Sequence, residues 1–114
     1  MSDERADAGR VKDVIVVGAG PAGLASAIAA HKAGLAYEVI ERGALVNSIL
    51  RFPTNMVFLT TPERLELGGL PFVTPHAKPT RDEALRYYRR AADTYNLDVQ
   101  FGLEVRTIRP TTGP

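Results

Sequence analysis

The sequence contains no cysteine. A disulfide framework, a thiolate metal site and a dithiol redox centre are therefore excluded within this chain. A charge excess of either sign is missing too: 14 lysines and arginines stand against 13 aspartates and glutamates, which leaves no electrostatic footprint for nucleic acid or an anionic membrane. Long apolar runs are equally scarce. Residues 14–30 carry no charge, but Gly18, Gly20, Pro21 and Gly23 break the run, and the preceding MSDERADAGRVKD mixes both charge signs. Neither a membrane span nor a signal-peptide core is expected there, which points to a soluble cytoplasmic protein. There is no internal repeat and no low-complexity tract. Asp3, Glu4 and Asp7 read as solvated tail, because a metal would need further fixed oxygen ligands.

What is present fits one small domain. A chain of 114 residues with 45% hydrophobic content can bury about two thirds of its unfolded surface. Residues 1–10, polar and small, are expected to form a disordered tail, with the folded part running over 11–114.

The informative stretch is GAGPAGLASAIAAHKAGLAYEVIE, with Gly18, Gly20, Gly23, Ala27, Gly34 and Glu41 at fixed offsets. Three fixed glycines recur by chance in roughly 3% of chains this long, and the three further positions lower that to about one in a hundred thousand. Each position has a physical task in a βαβ unit that grips a dinucleotide. Val14-Ile15-Val16-Val17 reads as a strand buried on both faces. Gly18 makes the tight turn, Gly20 lets the backbone approach the phosphates, and Gly23 lets the next helix lie close to the strand. Pro21 fits the first turn of that helix, predicted over residues 21–33, whose free N–H groups and positive dipole end face the pyrophosphate. Ala27 keeps helix and sheet close, and Gly34 ends the helix. Tyr37–Ile40 form the second strand. Glu41 at its end is placed to accept hydrogen bonds from both ribose hydroxyls, and its charge repels a 2′-phosphate, so NADP is disfavoured here while FAD and NAD remain. Arg42 reads as a solvated cation or a neighbour of adenine and phosphates.

Beyond Glu41 the periodicity weakens. Met56–Thr60 is expected as a short strand, Gly68-Gly69 as a turn, and the four prolines from Pro62 to Pro79 as punctuation of extended connections. Thr80 and Glu83 form a capping box that opens a helix over 81–95, with Leu85, Tyr88, Ala92 and Tyr95 on its inner face and Arg86, Arg89 and Arg90 in solvent. Asp98–Phe101 reads as a third strand, Gly102 as a bend and Glu104–Ile108 as the start of a fourth. His31 reads as a surface residue and His76 as an ambiguous loop residue. Phe52, Phe58 and Phe72 read as core before they read as flavin contacts.

From Val11 to Pro110 the chain resembles the N-terminal part of the YpdA-like bacillithiol-disulfide reductase family. The residues that carry the resemblance are VIVVGAGPAGLASAIAAHKAGLAYEVIERGALVNSILRFPTNMVFLTTPERLELGGLPF and KPTRDEALRYYRRAADTYNLDVQFGLEV. More broadly it is similar to the thioredoxin-reductase-like and monooxygenase-like FAD enzymes. The resemblance implies an α/β, Rossmann-like FAD/NAD(P)-binding fold with a parallel sheet, present here as its N-terminal part only. It places Gly18, Gly20, Pro21, Ala22, Glu41 and Arg42 around the ADP half of FAD. By the same resemblance Asn47 and Ser48 lie near the pyrophosphate and ribityl, Thr60 and Thr61 near the flavin, and the Val105 backbone beside the adenine.

Two departures stand out. Members proposed to reduce bacillithiol disulfide carry a cysteine where this chain has Ala22, so thiol chemistry at that position is absent. No second fingerprint follows, so the NADPH domain and the closing strand of the FAD site are expected to be missing, as in an N-terminal piece of a longer protein. The expected function is the FAD-binding portion of a flavin-dependent NAD(P)H oxidoreductase, with NADPH serving the intact enzyme and the piece inactive alone. The implied mechanism is hydride transfer from NADPH to the flavin, with no side chain of this chain needed as a catalytic base. A non-catalytic adenine-dinucleotide-binding module or remnant is the alternative. The expected partners are FAD and either a second copy, docked at the open strand edge, or a missing C-terminal half.

Overall fold

A computed structural model describes residues 11–111. The expected tail over residues 1–10 lies outside them. Three strands, β1 (Val14–Val17), β2 (Tyr37–Glu41) and β3 (Val99–Phe101), form one parallel sheet in the order β1-β2-β3. The register sets Val16 opposite Val39 and Val17 opposite Ile40, then Val39 opposite Val99 and Glu41 opposite Phe101. Parallel neighbours require a crossover, and helix α1 (Pro21–Lys32) supplies it between β1 and β2. The fold is therefore Rossmann-like, as the fingerprint requires.

Helix α1 faces the sheet with Leu24, Ala27, Ile28 and Ala30, all buried. Leu24 and Ile28 supply the apolar volume, at about 1.5–3 kcal/mol each for full burial. Ala27 has no accessible surface, which lets the helix axis sit low on the strands. The helix stops in a Schellman motif, in which the Leu35 amide donates to the Ala30 carbonyl at 3.0 Å and the Gly34 amide to His31 at 3.1 Å.

Only one face of β1 is covered. Val16 is buried, but Ile15 and Val17 are 48% and 58% exposed, against the expectation of burial on both faces. The β-branched run has the composition of a doubly covered strand, yet no element among the described residues packs on its second face.

The segment after β2 is held by contacts that periodicity does not reveal. A short helix, α2 (Asn47–Leu50), and a 3₁₀ turn (Pro62–Leu65) lie within it. The expected strand at Met56–Thr60 reduces to one antiparallel bridge between Val57 and Thr80, and the expected strand at Glu104–Ile108 is irregular chain. Helix α3 (Arg81–Thr94) starts at the predicted capping box: the Thr80 hydroxyl accepts from the Glu83 amide, and Glu83 accepts from the Thr80 amide. Its buried face is turned from the one expected. Ala84, Tyr87, Tyr88 and Ala91 are buried, while Leu85, Ala92 and Tyr95 flank them half-buried. The physical reason is polar as well as apolar. Tyr87 donates to the Leu70 carbonyl and accepts the Leu67 amide, both at 2.7 Å, and Tyr88 donates to Leu65 at 3.1 Å, so the phenols point inward to satisfy a loop with no ladder of its own. Burial pushes the phenol of Tyr88 up to about 12, with Tyr87 beside it adding to the rise, so the hydroxyl stays a donor.

Candidate functional site

The bend between β1 and α1 lies at the C-terminal end of the strands, where open parallel sheets bind ligands. Gly18 turns the chain there with φ 99, a value that L side chains avoid, and its amide donates to the Ile40 carbonyl at 2.8 Å. Gly23 is needed for contact. A Cβ on it would stand 1.9 Å from the Gly18 carbonyl oxygen.

Gly20 is different. Its φ of −81 and ψ of −177 suit any residue, and a Cβ built on it meets no protein atom within 4 Å. Nothing in the protein's own packing requires glycine at this position. Beside it α1 begins with Pro21 and no side-chain cap, and among the described residues the amides of Gly20, Ala22 and Gly23 have no acceptor. Three bare donors around a clear space, at the positive end of a 12-residue helix, make an anion cradle.

Glu41 ends β2 next to this cradle and is 9% exposed. Its carboxylate reaches both ways along the chain: Oε1 accepts the Ala19 amide at 2.8 Å and Oε2 accepts the Gly43 amide at 2.7 Å. A carboxylate has about four acceptor positions, so about two remain for a ligand. Arg42 is in solvent and forms a loose pair with Glu104 at 3.9 Å, worth little at that exposure. The Leu103 amide donates to the Glu41 carbonyl at 3.4 Å, which brings the chain leading into Val105 to the same end of the sheet. Val105 itself is half-buried.

Asn47 opens α2 and turns its side chain inward, where Oδ1 accepts from the Ala44 amide at 3.2 Å, while Ser48 is exposed. Thr60 is half-buried on a bend and Thr61 precedes the 3₁₀ turn, and neither side chain makes a hydrogen bond to the cradle. Gly18, Gly20, Pro21, Ala22 and Glu41 thus stand together with Arg42 and the approach to Val105, and Asn47 is tied to the same turn.

Sequence reasoning missed Val46. It adopts the left-handed conformation at φ 46, ψ 47, and its amide donates to the Ala19 carbonyl at 2.8 Å. A β-branched residue carries no sequence signal for that conformation. His76 belongs elsewhere: its Nδ1 lies 3.2 Å from Glu83 at the start of α3. A cleft of about 280 Å³ on α3, bordered by Phe72, Glu83, Arg86 and Arg90, includes none of the cradle residues. Among the described residues there is no metal-binding group of acids and histidines, and no helix is long and apolar enough to cross a membrane.

The family model for pyridine nucleotide-disulphide oxidoreductases matches residues 15–113. Bacilliredoxin reductase Bdr of Bacillus subtilis is 43% identical over 82 residues, covering 72% of this chain and 25% of that protein. The solved bacillithiol disulfide reductase Bdr (YpdA) from Bacillus cereus superposes with a TM-score of 0.86 at 38% identity, over 89% of this chain and 31% of that one. A crystal structure of OTEMO in complex with FAD and NADP superposes with a TM-score of 0.76 at 25% identity, over 91% of this chain and 21% of that one. The chain thus spans a quarter to a third of the length of the reductases it matches. It belongs to the pyridine nucleotide-disulphide oxidoreductase family and corresponds to the N-terminal, Rossmann-like part of the bacillithiol disulfide reductases.

Proposed function

We propose that this chain is the FAD-binding portion of an NAD(P)H-dependent flavin oxidoreductase that works in the cytoplasm, with residues 11–114 forming the first part of the FAD domain. The observation that carries the reading is Gly20: a glycine with ordinary dihedrals and clear space around it, beside three amides that lack acceptors. A methyl group there would meet no neighbouring element of the fold, so the glycine is explained by what must come close to it. The amides of Gly20, Ala22 and Gly23 would bind the pyrophosphate, and the remaining lone pairs of Glu41 would take the ribose hydroxyls. Arg42 and the Val105 backbone would border the adenosine. Asn47 and Ser48 would lie along the ribityl side, and Thr60 is placed near the flavin by family resemblance alone.

When bound, FAD supplies the hydride-accepting ring. The chain's own residues bind, orient and neutralise charge. No cysteine stands beside the cradle, since Ala22 occupies the position between Pro21 and Gly23, so this part of the protein contributes no thiol to electron transfer. NADPH as reductant, and a disulfide or other electron acceptor, would belong to the intact enzyme.

The test is reconstitution. The purified chain is mixed with FAD, desalted, and its visible spectrum recorded, with ADP binding measured in parallel by calorimetry. Co-elution of the flavin band with protein is the expected result. Binding of ADP with no retained flavin would assign the chain to the alternative, a non-catalytic adenine-nucleotide module, and binding of neither would overturn both.

A further inference from the structure

Ala19 offers only a methyl group, yet both of its backbone polar groups are taken by the segment that follows β2. Its amide donates to Glu41 Oε1 and its carbonyl accepts from the Val46 amide, each at 2.8 Å. Ala19 has no accessible surface. Through its second oxygen Glu41 also holds the Gly43 amide, so one carboxylate ties the bend before α1 to the turn after β2.

Val46 closes the other side of this clamp at a cost. The left-handed conformation is disfavoured for a β-branched residue by about 1–2 kcal/mol, and such strain persists only where the surroundings over-determine it. Here they do. The Val46 side chain is 1% exposed in the core, and its carbonyl accepts from the Ile49 and Leu50 amides at 2.9 and 3.1 Å, which fixes α2 as well.

We propose that Glu41 and Val46 are positioning residues: by clamping Ala19 on both sides they preset the Gly18–Gly20 bend, so that its amides already converge before a diphosphate arrives. The proposal rests on the reading that this bend receives the pyrophosphate. It gives Glu41 a task separate from the sugar, because a preset cradle favours any diphosphate, including one without ribose hydroxyls.

That separation makes the test. Glu41→Gln keeps the shape but has one carbonyl oxygen for two amide donors, so one tie is lost. Affinities for ADP and for 2′,3′-dideoxy-ADP are measured on wild type and variant, and amide hydrogen exchange at Ala19 is followed in the ligand-free proteins, with the Tyr88 amide in α3 as a folding control. The expected result is that dideoxy-ADP weakens about tenfold and ADP by at least as much, since ADP also loses a ribose contact, and that Ala19 exchange accelerates about tenfold while Tyr88 does not change. Glu41→Asp, which keeps the charge and shortens the reach by one methylene, should act in the same direction if Glu41→Gln fails to fold. Loss of ADP affinity alone, with dideoxy-ADP binding and Ala19 exchange unchanged, would assign Glu41 to the sugar and overturn the proposal. If wild type binds neither nucleotide, the diphosphate reading falls and the proposal with it, whatever the exchange rates show about the clamp.

Discussion

Replacing Gly20 by alanine separates what the fold needs from what a ligand needs. The backbone at this residue, φ −81 and ψ −177, is open to alanine, and the added methyl meets no protein atom within 4 Å. Alanine lowers the entropy of the unfolded chain, for a gain of about 0.4–1 kcal/mol. It is also a poorer N-cap than glycine, for a loss of about 0.5–1 kcal/mol. The two nearly cancel, so the melting temperature should move by about 4 °C or less. Binding should respond very differently. A methyl in the space of the cradle holds phosphate oxygens away from the amides of Gly20, Ala22 and Gly23, and losing two charge-assisted hydrogen bonds at about 1.5 kcal/mol each lowers affinity about a hundredfold. The assay pairs a thermal melt with titration of FAD and ADP. FAD affinity within about threefold of wild type, on an unchanged melt, would refute the cradle. A melt lowered by more than about 10 °C would show that the fold itself demands the glycine.

The neighbouring glycine should behave in the opposite way. Gly23→Ala sets a Cβ 1.9 Å from the Gly18 carbonyl oxygen, and since both partners are backbone the helix must shift, at about 3 kcal/mol or more by denaturant unfolding. At Val46 the usual order of substitutions should invert: Val46→Ala and Val46→Gly both lose the buried side chain, but glycine also sheds the left-handed strain at φ 46, so the glycine variant should be the more stable by about 1 kcal/mol. Tyr87→Phe leaves the Leu67 amide and the Leu70 carbonyl without their partner and should cost about 1–3 kcal/mol in urea unfolding. Acid should act through Glu83. Burial alone would raise its carboxyl, but the nearby Thr74 hydroxyl and the hydrogen bonds with the Thr80 amide, His76 and the Thr80 hydroxyl outweigh that and hold it at about 2, against 4.5 for the free group. The unfolded chain therefore binds the extra proton between those values, so this contribution is complete above about pH 4.5 and is lost as pH falls toward about 2. Glu83→Gln should flatten that limb of the stability profile, read by melts across the range.

What was legible in the sequence was whatever depends on neighbours along the chain. The β1-α1-β2 unit follows from a β-branched run, glycines at fixed offsets and an acid one helix later, a spacing that can be read along the chain. Helix α3 was legible for the same reason, since Thr80 and Glu83 satisfy each other across one turn. The failures share a cause as well. Burial of β1 on a second face depends on another layer, which Ile15 and Val17 cannot announce. The inner face of α3 is set by the carbonyls of Leu65 and Leu70, polar partners 23 and 17 residues away, which an apolar period does not register. Residues 56–60 and 104–108 have strand-like composition, but apart from the bridge at Val57 no neighbouring strand among the described residues meets them, and an isolated extended segment has no ladder to hold it. The candidate site divides along the same line. Its donors, Gly18 to Gly23, are local and legible. Its clamp joins Ala19 to Glu41 and Val46 over 22 and 27 residues, through backbone atoms that every sequence possesses, and so it becomes visible only once the chain is folded.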